Sequence, residues 1–511
     1  SSTRKKQPDS SKQTLMSDEP LSNDTTQGAG PSIWQALEPS SSSLPDSQPA
    51  GRCGHVAVAC GEGGQRLVIF GGYNADGLLS DVWEFHLEAR EWARVNVAAG
   101  PAPPERAYFR GCDGPPPGGD ERQAGESFAY IFGGTDEEGV ALSDVWCLDV
   151  ENRAWHEVHR GERVGGGGAL GVGASVPCAR SNHSMCKMGG VLVRRGGRRG
   201  ERPGGGGGEG GCLICTSITP VTSPDDLWLF NPTTASWSEK SDPATGPRPC
   251  ARSSHCLAYS KSAAELSRDR SSGGSAGGSA GGSSATVEAD GSLVLFGGLG
   301  RDTDEDSDAE DVAPLNDLWV WSPASAAAAA ASAAATAAGE GEGGRPGVWS
   351  LVMLNGVGPS PRSLAVLTPR PCGGDLFLFG GYGLVELPSP PGDSDGVASD
   401  AEDDSGEEES ADIIMAYIDD LWRLDLAGAG SGSGSSSGGG GGSSSSSSAS
   451  STRWVDEEEM GSVGCSIVEG RNGHTLTWCG DTLVLFGGFV GDGFDAGLHI
   501  ARPPRPPTSL E

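Results

Sequence analysis

Positive charge is scarce in this chain, and long apolar runs are missing. Its 511 residues hold 36 Lys and Arg against 69 Asp and Glu, a formal net charge of −33. Phosphate contacts need clustered basic side chains, so this balance argues against a general nucleic-acid surface and favours basic partners. No stretch of about 18 uninterrupted apolar residues occurs, so no membrane-spanning helix is indicated. Only 36% of the chain is hydrophobic, which suits many short strands better than a large helical core. The 13 cysteines are odd in number and scattered. That points to a reduced intracellular setting, cytoplasmic or nuclear, rather than a disulfide framework. No Gly-rich stretch ends in Gly-Lys-Ser/Thr, so none reads as a phosphate loop. Cys212 and Cys215 make a lone Cys-x-x-Cys with no second pair at metal-binding spacing. The first 30 residues are polar, show no signal-peptide pattern and are expected to be disordered.

What is abundant is glycine, 83 residues, and a repeat built on it. Six times a short apolar strand runs into a Gly pair: LVIFGG (67–72), AYIFGG (129–134), VLVRRGG (191–197), LVLFGG (293–298), LFLFGG (376–381) and LVLFGG (483–488). In the first copy, strands are predicted from His55, over 67–70, over 81–87 and over 92–95. Trp83, Phe85 and Leu87 alternate at period 2, as one half-buried face of a strand requires. Four antiparallel strands make a small sheet that cannot bury its own faces, so the copies must stack. The Gly pairs (Gly71/Gly72, Gly133/Gly134, Gly297/Gly298, Gly380/Gly381, Gly487/Gly488) are expected to turn the chain sharply at positive φ where neighbouring sheets crowd. Tryptophans recur at matched places on the third and fourth strands. The pairs are Trp83/Trp92, Trp146/Trp155, Trp228/Trp237, Trp319/Trp349 and Trp422/Trp454, with Trp34 alone near the start. Their expected role is packing between sheets.

Arg-x-x-His, strand-Gly-Gly, Asp-Leu-Trp and a trailing Trp, recurring in order over about residues 31–500, resemble the kelch repeat. The resemblance implies an all-β, six-bladed propeller of four-stranded antiparallel blades. The sixth copy lacks a clear Asp-Leu-Trp, and 495–500 is the only candidate for its third strand. The strand around Trp34 is then expected to close that blade as its fourth strand. The alternative is a ring that needs more chain. In the third copy, Arg194 and Arg195 replace apolar residues. Two arginines are costly to bury, so 212–216 (CLICT) is slightly preferred as the real second strand over 191–195.

The strand register sorts the loops. Connections between strands one–two and three–four lie on one face, here the first. Those between strands two–three and between blades lie on the second. Insertions at about 111–125, 260–291, 324–347 and 427–450 fall on the first face. Three acidic tracts fall on the second: 302–311 with seven carboxylates (Asp304, Glu305 and Asp306 among them), 393–409 with nine (Asp403, Asp404 and Glu407 among them), and 456–459 with four. A basic protein segment is the partner these tracts would attract. Solvated loops with no partner are the plainer reading. Thr303, Ser307, Ser399 and Ser405 each stand three residues before an acid, an acidophilic kinase pattern that would deepen the charge. Further low-complexity tracts lie at about 198–211, 301–313 and 386–411, and a Pro-rich tail covers 501–511.

Arg52, Arg106, Arg180, Arg252, Arg362 and Arg471 each precede a first strand, at the second-face mouth of the channel. They either hold the turns between blades or read an acidic partner. His55, His183, His255 and His474 follow three residues later in four copies. Ligands sit about 2 Å from zinc, so a ring this wide cannot share one ion, and a structural role is expected. No catalytic or metal-binding residue is assigned. The expected function is a non-enzymatic, monomeric interaction platform without a cofactor, binding another protein. In resemblance terms that protein is a small GTPase or a substrate of a ubiquitin ligase adaptor. The other class of reading is a metal-dependent enzyme, because kelch-type copper oxidases and iron-dependent specifier proteins use the same fold. Neither type of site can be assigned to residues here.

Overall fold

The computed structural model describes residues 32–40, 47–119, 126–161, 176–188, 190–199, 225–240, 247–261, 291–301, 312–323, 347–354, 356–371, 374–386, 413–426, 452–462 and 467–504. These form six antiparallel blades arranged as a ring, each with four main strands, and the sheet of blade four takes up the short strand Arg252–Ser253 as a fifth. From the inside outward, blade one runs Val56–Cys60, Arg66–Phe70, Val82–His86 and Glu91–Arg94. Blade two runs Arg110–Gly114, Phe128–Phe132, Val145–Asp149 and Ala154–His159. Blade three runs Ser184–Met188, Val191–Arg195, Leu227–Asn231 and Ser236–Glu239. Blade four runs Cys256–Ser260, Ser292–Arg301, Val312–Pro323 and Gly347–Leu351. Blade five runs Val366–Pro369, Leu376–Phe379, Leu421–Asp425 and Arg453–Val455. Blade six joins Thr475–Cys479, Thr482–Phe486 and Leu498–Ala501 to Trp34–Ala36 from the other end of the chain.

The closing strand has a defined register, Trp34 opposite Ala501 and Ala36 opposite His499. Each first strand touches those of both neighbouring blades, so the ring is complete. The expected closure by Trp34 is therefore what the structure shows, and 495–500 supplies the third strand through Leu498.

Apart from Arg194 and Arg195 in blade three, the second strands are mainly apolar because both of their faces are covered by adjacent blades. One contact recurs between blades. The fourth-strand Trp packs on the Phe that ends the second strand of the blade before it: Trp155 on Phe70 at 4.8 Å, Trp92 on Phe486, Trp237 on Phe132 and Trp34 on Phe379 at 5.2 Å, and Trp454 on Phe296 at 5.4 Å. All eleven repeat tryptophans are buried. Each contributes roughly 4–6 kcal/mol of gross hydrophobic stabilisation before conformational entropy is subtracted.

Two expectations are corrected. The second strand of blade three is Val191–Arg195, paired on both sides with Ser184–Met188 and Leu227–Asn231. Residues 212–216 lie outside the described residues. The two arginines are tolerated because each is engaged. Arg194 reaches Asp226 at 3.3 Å and lies 5.4 Å from the Phe132 ring; Arg195 lies 4.5 Å over Trp349 and donates to the Pro249 carbonyl. The insertion expected over 111–125 starts too early, since 110–114 is the first strand of blade two.

Candidate functional site

Each blade repeats one polar unit at the second face. The arginine before the first strand is at most 2% exposed and grips the Asp before the third strand. Arg52 holds Asp81 at 2.6 and 2.9 Å, Arg106 holds Asp144 with two bonds of 2.8 Å, and Arg180 holds Asp226 at 2.8 and 2.9 Å. Arg252 pairs with Asp317 and Arg362 with Asp420 in the same fork, and Arg471 with Asp495. The same guanidinium donates to the carbonyl of the first Gly of the pair, Gly71, Gly133, Gly196, Gly297, Gly380 or Gly487. In five blades the third-strand Trp donates its indole N–H to that Asp, as Trp83 does to Asp81 at 2.6 Å. Burial alone would raise the Asp81 and Asp144 carboxyls, but the arginine bonds hold both below the usual value. Against the same burial, Asp226 is drawn down to about 2 by Arg194, Arg180 and Trp228.

The six arginines thus sit where the sequence placed them but are turned inward and sealed. They hold the turns and do not present a guanidinium to a partner. This corrects the reading in which they meet an acidic partner at the mouth. Asp304, Glu305, Asp306, Asp403, Asp404 and Glu407 lie outside the described residues.

The Gly pairs adopt the expected positive φ, and all twelve residues lie between +57° and +109°. The crowding expected from neighbouring sheets holds for the first Gly of each pair. A Cβ on Gly133, for instance, would strike the Arg180 oxygen of the next blade at 2.6 Å. For the second Gly that expectation is corrected, because what crowds it belongs to its own blade. A Cβ on Gly72 would lie 2.7 Å from the Cys53 oxygen, on Gly298 2.7 Å from that of Ser253, and on Gly381 2.7 Å from that of Ser363. On Gly488 it would lie 3.0 Å from the Asn472 oxygen. The physical reason is that the segment following each blade's arginine lies directly against this glycine. Contact with the next blade is made through backbone instead. Gly72, Gly381 and Gly488 donate their N–H to the carbonyls of Arg106, Arg471 and Arg52 at 2.8–3.0 Å.

The histidines fill the space that the missing side chains leave. His55, His183 and His474 stand edge-on to Phe486, Phe132 and Phe379 of the preceding blade at 5.1–5.3 Å. They are wedges between blades. Phe109 and Ala365 take the same place in blades two and five. Among the described residues, no three of His, Cys, Asp and Glu are grouped so as to hold a metal ion.

The second face carries a feature the sequence reading missed. Six rings touch in series across blades two, one, six and five. Tyr108 meets Tyr73 at 5.4 Å, Tyr73 meets Phe494 at 5.2 Å, Phe494 meets Phe489 at 5.3 Å, Phe489 meets Tyr417 at 5.8 Å and Tyr417 meets Tyr382 at 5.0 Å. The Tyr108 hydroxyl donates to that of Tyr73 at 2.6 Å, and burial pushes the Tyr73 phenol well up. All but Tyr73 are partly exposed. The signal was present: in copies one, five and six an aromatic follows Gly-Gly directly, as Tyr73, Tyr382 and Phe489. Such rings, rigid and amphipathic, suit a protein contact. On the opposite face, beside blade one, Gly61, Gln65, Arg66, His86 and Glu151 line a cavity of about 400 Å³.

Comparison with known proteins agrees with this geometry. A family model described as the KLHDC2/KLHL20/DRC7 Kelch-repeats domain matches residues 32–197 and 112–264. Adagio-like protein 1 of Oryza sativa subsp. japonica is 32% identical over 153 residues, 29% of this chain and 20% of that protein. An F-box/kelch-repeat protein of Arabidopsis thaliana is 30% identical over 161 residues, 29% of this chain and 28% of that protein. The flagellar outer-arm dynein alpha chain of Chlamydomonas reinhardtii is 32% identical over 100 residues, 20% of this chain and 2% of that protein. The chain therefore spans well under a third of the length of each of these relatives. With the matched repeats, the Gly-Gly turns and the ring closed by Trp34 in view, the chain carries a kelch-repeat domain.

Proposed function

We propose that this domain is a non-enzymatic platform that binds a basic segment of another protein on its second face. The observation that carries the reading is the aromatic arc from Tyr108 to Tyr382, which runs along that face over blades two, one, six and five. The sequence adds the acidic tracts 302–311 and 393–409, both in two–three connections that start on the same face. Aromatic contact would supply affinity, and the acid would speed association in a salt-dependent way.

Affinity purification followed by mass spectrometry tests it, using the full chain and a form lacking 302–311 and 393–409. Partners captured by the full chain should weaken at higher salt and on deletion. Retention that is indifferent to both would remove the proposal. The F-box/kelch-repeat relative favours a second reading within the binding class, in which the propeller recognises substrates for a ubiquitin ligase. Co-purification of ligase subunits would select it, and capture of a small GTPase would select an effector role. One equivalent of copper or iron in the purified protein would favour the enzyme reading instead.

A further inference from the structure

The arginine that grips the Asp of its blade also fixes the residue two before it. In every blade its Nε donates to the backbone carbonyl of that residue at 3.0–3.2 Å, which holds the residue beside the charge. The six residues are Ala50, Pro104, Cys178, Cys250, Ser360 and Glu469. Cysteine stands there in blades three and four only. Arg180 donates to Cys178 Sγ at 3.0 Å, and Arg252 donates to Cys250 Sγ at 3.2 Å.

Those two places are also where a further arginine arrives. Arg194 shares Asp226 Oδ2 with Arg180, so two cations meet on one carboxylate. Arg195 donates to the carbonyl of Pro249, the neighbour of Cys250. Among the described residues no carboxylate pairs with it. Nearby Asp225 is held by Arg248, and Asp226 by Arg180 and Arg194. Both extra arginines are 1% exposed, and Nε and Nη1 of Arg194 and Nε of Arg195 have no hydrogen-bond partner. Cys178 lies within electrostatic reach of Arg194, and Cys250 within that of Arg195. Each cysteine therefore borders an unanswered positive charge.

The other described cysteines differ. Cys53, Cys60, Cys147, Cys256 and Cys479 are buried. Cys112 and Cys186 are half-buried like Cys178 and Cys250, but burial pushes the Cys112 thiol well up and the Cys186 thiol to about 12. Reactive thiols occupy electropositive, partly exposed places, whereas buried structural ones are inert.

We propose that Cys178 and Cys250 are modification sites at which a peroxide oxidises the thiol to a sulfenic acid. The sulfur attacks one oxygen of hydrogen peroxide, and the S–O bond forms as the O–O bond breaks. The departing hydroxide takes the thiol proton and leaves as water, so sulfur is oxidised and the peroxide reduced. The surplus guanidinium offsets negative charge as it collects on the reacting atoms, and its unpartnered N–H groups have the new oxygen to bond. This site is independent of the binding reading above.

The test treats the full chain with hydrogen peroxide and dimedone, which tags sulfenic acids, and follows each cysteine by peptide mass spectrometry. Cys178 and Cys250 should be tagged roughly tenfold faster than Cys112 and Cys186. Arg194→Met should slow Cys178 roughly tenfold and leave Cys250 unchanged, and Arg195→Phe should do the reverse. A variant that failed to fold would expose Cys147 and Cys256, which report on the ring in the same digest; the ranking in the parent chain then decides. Equal tagging of the four half-buried cysteines in the parent, or folded variants in which both rates hold, overturns the proposal.

Discussion

Trp349 of blade four packs 4.5 Å from the guanidinium of Arg195, in the place where five other blades set a Trp against a Phe. Arg195 occupies the Phe position of its repeat, and burial with the nearby Arg252 charge draws its pKa down to about 9. Replacing a buried ion with a well-packed apolar residue is commonly neutral or stabilising by about 1–4 kcal/mol. Arg195→Phe is therefore expected to match or exceed the parent in urea denaturation. Asp226→Asn should do the opposite. It leaves Arg180 and Arg194 without their carboxylate and is expected to lose about 3–5 kcal/mol.

Two glycines of blade two separate conformation from crowding. Gly134 has φ +96°, and a Cβ there would come within 2.8 Å of the Ala107 oxygen and the Phe109 Cβ. Gly139 has φ +73° with nothing within 4 Å. Gly139→Ala should cost about 1–2 kcal/mol, the left-handed penalty alone. Gly134→Ala should cost clearly more, because backbone must move as well. Equal losses in a denaturant series would show that the ring yields at the Gly pair.

Much of this was legible beforehand because the repeat fixes register. Phe70, Phe132, Phe296, Phe379 and Phe486 all precede a Gly pair, and the repeat alone assigns each fourth-strand Trp to its blade. Even the closing role of Trp34 followed from an unmatched Trp at one end and an unfinished blade at the other. Blade three was misread because a strand's own sequence does not reveal what meets it. Arg195 looks unburiable until Trp349, more than a hundred residues later, is seen to cover it. The aromatic arc escaped for the same reason. Tyr73 and Phe494 are neighbours only after the ring closes.

Acid should weaken the fold through four buried histidines. Burial, reinforced by Arg52, Arg194 and Arg195 respectively, holds His55, His183 and His255 well below the usual imidazole value; burial and Arg471 bring His474 to about 3. The unfolded chain, with pKa values of about 6.5, takes up these protons first. The stability is present above about pH 6.5 and is lost as pH falls below it. Unfolding at pH 5 should absorb about four protons from these residues, measurable by calorimetry in buffers of different ionisation enthalpy. His474→Phe should remove about one of them.

Glu457 should act in the reverse sense. Trp34 donates its indole N–H to this carboxylate at 3.2 Å. Burial, with Asp420 and Asp419 nearby, still pushes its pKa up to about 7. The folded state therefore holds this proton more tightly than the unfolded chain, whose value is about 4.3. Its contribution is complete below that value and is lost as pH rises through about 7. Glu457→Gln keeps an acceptor for Trp34 and removes the charge. It should leave the denaturation midpoint unchanged at pH 4 and raise it at pH 8. A lower midpoint at pH 8 would mean that the charge itself holds the closing strand.

Closure by Trp34–Ala36 also sets an order of events during synthesis. The strand made first is the one used last, since its partner Leu498–Ala501 emerges only after five blades have been made. At about 5–20 residues per second, the growing chain spends on the order of a minute as an open arc. Throughout that time Phe379, once made, lacks its Trp34 cover, and the ring has two raw ends. A factor that recognises the open arc would act on new molecules and ignore finished ones.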